Sequence, residues 1–387
     1  MRFAQRMRSL GTETAFEVLA KAKALEAEGK RIIHLEIGEP DFDTPQNIKE
    51  AAVRALNEGY THYTPSAGLM QARETVAQYI SRTRGIEVSP SEVVITPGAK
   101  PVMFFAILAL IDAGDEVIYP NPAYPIYESV VNFVGGKPVP IHLREENDFR
   151  LDPDELRAAV TPRTRMIIIN SPHNPTGGIL TKEDLEAIAA MAQEHDLWVL
   201  SDEIYSRIIY SGEHMSIASL PGMKRRTILL DGFSKTYAMT GWRLGYGVME
   251  EGLAVQLARL MTNCNSCTAA FTQVAGIEGL IGPQEEVERM VEEFRRRREV
   301  IVEGLNSIPG MSCRSPQGAF YAFPNITGVG WSCKKLADSL LQEAGVAVLP
   351  GTSFGIYGDG YLRLSYANSV DNIREGLERI RGFVAQI

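Results

Sequence analysis

Residues 166–201 read MIIINSPHNPTGGILTKEDLEAIAAMAQEHDLWVLS. A β-branched run at 166–170 (MIIIN) ends in a loop of Asn, Pro and Gly, a helical stretch at 181–195 follows, and a second apolar run at 197–201 (LWVLS) closes the unit. Thr181 and Asp184 are spaced as a capping box, with Asp in the place usually held by Glu, and predict where the helix begins. Neither strand alternates between apolar and polar residues. Continuous apolarity is what a strand needs when helices cover both faces of a mainly parallel sheet.

The same theme runs outward from this unit. Candidate strands lie at 92–96 (EVVIT), 116–119 (EVIY), 227–230 (TILL) and 244–249 (LGYGVM), with helical stretches between them. Strands alternating with helices make the fold class α/β. Near Pro283 the texture changes to a long charged helix, PQEEVERMVEEFRRRREVIVEGL. Glu292 and Glu293 stand four residues before Arg296 and Arg297, so its arginines read as a solvated face laced with i,i+4 pairs. Beyond it, 318–323 (GAFYAF) and 360–365 (GYLRLS) read as strands of a smaller α+β unit. A chain of 387 residues exceeds one ordinary core, so two domains are expected.

A formal charge of −9 argues against nucleic acid or anionic membrane as partner, since both reward surplus Lys and Arg. The strongly apolar run at 102–111 (VMFFAILALI) falls well short of the ~20 residues needed to span a bilayer. The opening MRFAQRMRSLGTETAF has basic residues without a following apolar stretch, so no secretory signal is expected and the cytoplasm is the simplest location. Cys264, Cys267, Cys313 and Cys333 make no disulfide framework in a chain of this size, and the CxxC of Cys264 and Cys267 lacks a redox or zinc context. His34, His62, His142, His195 and His214 are scattered and suggest no metal site, and His173 reads as a loop residue.

Four features carry chemistry. In TPGAKPVMFF (96–105) a strand ends at a turn allowed by Gly98, and Pro101 opens a helix, a geometry that points free N–H groups at an anion. Asp202, in LWVLSDEIY, sits at the carboxyl end of a buried strand, where open α/β sheets place their ligands. A carboxylate there needs a partner, for which a protonated heterocyclic nitrogen would serve. Asn174 lies in the rigid loop SPHNPTGG. Finally, DGFSKTYAMTGWRLGY (231–246) holds Lys235 and Arg243 among packing residues. A buried lysine is neutral often enough to attack an aldehyde, and a phosphate on that aldehyde would explain Arg243 and the glycine turn. Together these describe pyridoxal phosphate held as a Schiff base.

At this point the sequence resembles the class I/II aminotransferases of the fold-type I pyridoxal-phosphate family, especially the aspartate/aromatic subgroup. The likeness runs from EIGEPDFDTP (36–45) through YTPSAGLMQAR, SPHNPTGG, SDEIY and SKTYAMTGWRLGY to YLRLSYA (361–367). It implies a mostly parallel seven-stranded central sheet flanked by helices, with residues 46–285 forming a large domain and residues 1–45 and 286–387 a small one. By the resemblance, Lys235 forms the imine with pyridoxal 5′-phosphate and then shuttles the proton between substrate Cα and cofactor C4′. Asp202 pairs with the pyridinium nitrogen, while Tyr205 and Asn174 bond the phenolic oxygen. Tyr124 stacks on the ring. Arg243, Gly98, Ala99, Lys100 and Ser234 form the phosphate cup, and Tyr63 reaches the phosphate of the neighbouring subunit in a homodimer. Arg363 grips the substrate α-carboxylate, Gly38 lets the substrate approach closely, and the Asn174–Pro175 bond is expected to be cis.

The implied reaction is ping-pong amino transfer between an amino acid and a 2-oxo acid. For the donor, one branch of the family uses an arginine in the segment matching ARLMTNCNSCTAAF (258–271), where only Arg259 is charged and the device looks absent. Another branch uses the lysine of the phosphate turn, which Lys100 matches. Glu13 stands where a small residue would be expected beside an acidic substrate. Aspartate or glutamate with 2-oxoglutarate leads, with aromatic amino acids or alanine as the alternative. A β-eliminating carbon–sulfur lyase shares the fold and the lysine. Transcription regulators that share it carry a DNA-binding module, for which the stretch before GEPDF is too short.

Overall fold

The structure is a computed structural model that describes residues 2–387. Its centre is a seven-stranded sheet made of β1 (Val93–Thr96), β2 (Glu116–Asn121), β3 (Lys137–His142), β4 (Thr164–Asn170), β5 (Trp198–Asp202), β6 (Thr227–Gly232) and β7 (Gly245–Val248), in the order β1-β7-β6-β5-β4-β2-β3. Every pairing is parallel except those of β7, which runs against both of its neighbours. β1, β2, β6 and β7 are buried at every residue, which is why their sequences are apolar without alternation.

β3 (KPVPIH) is the strand that the sequence pattern does not announce. It lies at the edge of the sheet, mostly half-buried, with Pro138 and Pro140 in a ladder that pairs on one side only. Proline is tolerated at such an edge because no second neighbour needs its missing N–H.

The helices that place the site are α1 (Thr14–Ala27), α2 (Lys100–Leu110) and α3 (Lys182–Glu194), with α4 (Glu285–Asn306) and α5 (Val370–Val384) farther along the chain. The capping box of α3 forms as expected. Thr181 Oγ1 accepts from the Asp184 N–H at 3.3 Å, and the Asp184 carboxylate accepts from the Thr181 N–H at 2.8 Å. In α4 the expected i,i+4 pairing is only half present. Glu293 binds Arg297 at 2.9 Å, but Glu292 pairs with Arg295 instead of Arg296. Arg297 is not solvated at all: it is 5% exposed, meets Asp41 at 2.6 Å and stands over the ring of Phe42. It ties α4 to the GEPDF segment rather than facing water.

After α4 the chain builds a second, three-stranded antiparallel sheet from β8 (Tyr321–Ala322), β9 (Leu349–Pro350) and β10 (Leu362–Ser365), in the order β9-β10-β8. β8 and β10 are shorter than the runs at 318–323 and 360–365 that pointed to them, and β9 lies outside both runs. Ile33–His34 pairs in parallel with Val346–Ala347, so the amino-terminal segment joins the carboxyl-terminal part. No helix among the described residues is long and apolar enough to cross a membrane. All four cysteines are unpaired.

Register decides what happens at the carboxyl edge of the central sheet. Asn170 pairs with Asp202 at the ends of β4 and β5, and β6 ends at Gly232, three residues before Lys235. Beneath this edge lies a buried charge cluster. Arg84 donates to Glu203 at 2.7 Å, to Asp231 at 3.0 Å and to Ser206 at 2.8 Å, and His214 lies 2.8 Å from Glu203. These ions are satisfied by one another.

Candidate active site

The strand ends open into a cavity of about 520 Å³. Its wall includes Gly38, Ala99, Lys100, Tyr124, Asn174, Asp202, Tyr205, Ser234, Lys235, Arg243 and Arg363, residues spread across most of the chain. Two of the residues expected at the site stand apart from the wall. Gly98 lies behind Arg243, and Tyr63 is 89% exposed on the outer surface.

Lys235 lies three residues beyond the end of β6. Its ammonium donates to the carbonyl of Gly38 at 2.5 Å and stands 6.0 Å from the ring centre of Phe320. Among the described residues no carboxylate lies within ion-pair distance of it. Burial lowers its pKa to about 8, Arg363 and Arg243 pushing the same way against Glu39 and Glu13. An amine so placed loses its proton near neutral pH, which is the requirement for attack on an aldehyde.

Asp202, at the tip of β5, is 8% exposed and accepts from the Tyr127 hydroxyl at 2.5 Å and the Ile204 N–H at 3.2 Å. Neither donor is a cation. Burial pushes its pKa up to about 6, and the two hydrogen bonds only partly offset that. A cationic ring nitrogen beside it would restore the charged form.

The loop after β4 is held by Asn170, whose side-chain oxygen accepts from the Asn174 N–H at 2.9 Å. The Asn174–Pro175 bond is cis, as expected, and so are Asn121–Pro122 and Ser171–Pro172. Asn174 Oδ1 is buried with no hydrogen-bond partner. His173 is a packed loop residue: it meets Thr176 at 2.8 Å, and burial lowers its pKa to about 3, so the ring is neutral.

The anion corner forms where β1 meets α2. Gly98 has φ +85°, and a side chain there would collide with the guanidinium of Arg243. Arg243 itself has φ +52° and donates to the Thr240 carbonyl at 2.7 Å. The start of α2 points its free N–H groups the same way. At the opposite side, Arg363 on β10 donates to the Glu36 carbonyl and stands over the rings of Tyr321 and Phe354, while its buried Nε has no partner.

Gly38 departs from the expected reason for its presence. The space a side chain would take there is filled by the hydroxyl of Tyr321, so protein, rather than substrate, makes the close approach. Tyr321 and Tyr127 were not singled out from the sequence. Tyr127 follows Tyr124 by three residues in NPAYPIY, a helical spacing that could have pointed to it, and the two rings meet edge to face at 5.6 Å. Tyr321 lies in an apolar run and gave no signal. Glu13, which stands where a small residue is expected, pairs with Lys100 and accepts from the Tyr124 hydroxyl at 2.8 Å.

The residues fit pyridoxal phosphate on their own chemistry. They offer an amine without a carboxylate partner, a buried carboxylate without a cationic partner, an anion corner and a guanidinium with a free edge.

Known proteins with this arrangement can be matched to the chain. Residues 30–380 match the family described as "Aminotransferase class I and II". The chain is 41% identical to the aspartate aminotransferase of Bacillus subtilis, over 99% of both proteins. It is 44% identical to aromatic-amino-acid aminotransferase 2 of Thermococcus litoralis, over 90% of both. Its backbone superposes on the aspartate aminotransferase of Thermus thermophilus with maleate at a TM-score of 0.95, with 39% identity and full coverage of both chains. The central sheet is therefore that of the fold-type I enzymes. The chain belongs to the class I and II aminotransferases, and its reaction is pyridoxal-phosphate-dependent amino transfer between an amino acid and a 2-oxo acid.

Proposed function

We propose that the donor is aspartate or glutamate and the acceptor a dicarboxylic 2-oxo acid such as 2-oxoglutarate. One observation carries this reading. Four cations line the cavity, Lys235, Arg243, Arg363 and Lys100. The first three would be taken up by the cofactor's aldehyde, the cofactor's phosphate and the substrate α-carboxylate. Lys100, at the mouth, is left for a distal carboxylate. The Bacillus and Thermus relatives named for aspartate support it.

Bound there, pyridoxal phosphate supplies an aldehyde to hold the amino group and a protonated ring to draw electrons from the Cα–H bond. The protein's residues do the rest. Lys235 Nζ would move the proton between substrate Cα and the cofactor's C4′. Asp202, charged, holds a proton on the ring nitrogen. Tyr205 and Asn174 would hydrogen-bond the ring's phenolic oxygen, and Tyr124 would cover the ring. Arg243, Ser234, Ala99 and the turn at Gly98 hold the phosphate. Arg363 meets the α-carboxylate in a fork, which orients Cα–H toward Lys235.

Residues 46–285 form the large domain, and residues 1–45 with 286–387 the small one; the separation of the two main sheets supports this division. The enzyme works as a homodimer in which Tyr63 of one subunit completes the phosphate site of the other. Its 89% exposure here, with Val53, Leu56, Met70 and Ile281 also exposed, supports an unpaired face of that kind. Unpaired thiols fit a reducing cytoplasm.

A second reading has its own observation. Glu13 already pairs with Lys100, and Phe16 lies 61% exposed at the mouth. That favours aromatic or other uncharged donors. A panel of amino donors assayed with 2-oxoglutarate decides between them, with aspartate or glutamate expected to give the highest kcat/KM. Mixing Tyr63→Ala and Lys235→Ala proteins tests the shared site: activity returns only if subunits exchange and one composite site is intact.

A further inference from the structure

The segment leading into α1 crosses the mouth of the cavity, where Glu13, Thr14, Ala15 and Phe16 line the wall. Glu13 immediately precedes the helix in extended conformation (φ −96°, ψ 113°), yet its side chain caps none of the helix's free N–H groups. The carboxylate turns inward instead. One oxygen accepts from both Lys100 and the Tyr124 hydroxyl, the latter at 2.8 Å. The Lys100 ammonium also stands 5.7 Å from the centre of the Tyr124 ring. The Glu13 side chain is 19% exposed and that of Lys100 45%, so water reaches the pair only in part. Ahead of it, residues 2–12 are exposed throughout, with the Gly11 N–H tied to Ser129 Oγ at 2.8 Å. A segment with so little buried surface opens at small cost.

We propose that Glu13 determines substrate specificity: it is an internal carboxylate that holds Lys100 in place of a substrate's distal carboxylate and is displaced when a dicarboxylic acid binds. The inference rests on the reading of Lys100 given above. With Glu13 in place the mouth presents a neutral charge pair, an aromatic ring and Phe16, and accepts amino acids with uncharged side chains. With Glu13 displaced, Lys100 is free for a second carboxylate. Discrimination between the two substrate classes is then a difference set by one competing group.

The test uses the cofactor-loaded enzyme and its Glu13→Gln, Lys100→Met and doubly substituted variants. The readouts are KM and kcat for 2-oxoglutarate, kcat/KM for phenylalanine as donor, and the Kd of maleate, an unreactive dicarboxylate, by calorimetry. Glu13→Gln is expected to tighten maleate and lower KM for 2-oxoglutarate about three- to fivefold, the worth of a partly exposed ion pair. The ratio of dicarboxylate to phenylalanine specificity rises by the same factor. Lys100→Met weakens both dicarboxylates, and in its background Glu13→Gln has no further effect. Glu13→Ala, which also loses the bond to Tyr124, acts in the same direction. If Lys100→Met weakens maleate but neither Glu13 variant tightens it, Glu13 is only a structural contact and the proposal falls while Lys100 keeps its role. If Lys100→Met leaves maleate binding unchanged, the reading of Lys100 fails, and this inference with it.

Discussion

The phenol oxygens of Tyr205 and Tyr321 stand 2.7 Å apart and join the loop after β5 to β8 of the second sheet. The Tyr321 hydroxyl also fills the space beside Gly38, and its ring lies 4.6 Å beneath the guanidinium of Arg363. One side chain thus fixes the distance between the lysine side of the cavity and the carboxylate-binding side. Tyr321→Phe keeps the ring under Arg363 and is expected to cost about 1 kcal/mol in denaturant unfolding, with little change in KM. Tyr321→Ala removes that support and is expected to raise KM for the amino acid about tenfold or more, because Arg363 then loses its orientation.

Asp202 carries its charge at the expense of stability. Its folded pKa is about 6, above the ordinary carboxylate value, because of burial. At about pH 3 and below, folded and unfolded chains both hold the proton, and no penalty exists. As pH rises from the ordinary carboxylate value to about 6, the unfolded chain releases the proton while the folded one keeps it, and stability is lost; above about 6 the loss is complete. Cofactor-free Asp202→Asn is therefore expected to match the parent near pH 3 and exceed it by up to about 3 kcal/mol at pH 8. Urea unfolding at the two pH values measures this. The same variant is expected to lose most of its activity with the cofactor bound.

Arg84 answers to Glu203 and Asp231 together. Arg84→Met leaves both buried carboxylates without their guanidinium and is expected to destabilise the protein by about 3–5 kcal/mol. Arg84→Lys keeps the charge but not the two-armed geometry, and should fall between. Guanidinium chloride unfolding monitored by circular dichroism separates the three proteins.

Lys235 titrates near pH 8, below the ordinary lysine value. Protein stripped of cofactor is expected to take up pyridoxal phosphate at a rate that rises with pH through about 8, following the unprotonated amine. Glu39 works against the lowering, so Glu39→Gln should move the midpoint to lower pH. Stopped-flow absorbance checks both.

The fold was legible wherever a strand is buried on both faces, because burial on both faces disfavours polar residues away from the strand ends and leaves an apolar run such as MIIIN. β3 escaped because an edge strand tolerates the prolines that elsewhere signal a turn. At the site, residues whose type is demanded by chemistry stood out: a lysine, an aspartate and two arginines have no packing reason to be where they are. Tyr127 and Tyr321 did not, since a tyrosine in an apolar run looks like any core aromatic until its hydroxyl's partner is known. Glu13 was visible as an oddity, but its partner lies 87 residues away, and only the folded chain brings Lys100 to it. Arg297 shows the converse, since a charged repeat that reads as solvated hides one arginine that is buried.

The central claim is that one amine, that of Lys235, holds the cofactor. Reducing the cofactor-loaded protein with borohydride fixes the linkage, and peptide mass spectrometry then locates the modified lysine. The account predicts a single pyridoxyl group, on Lys235. A label on Lys100 or any other lysine, with Lys235 unmodified, would contradict it.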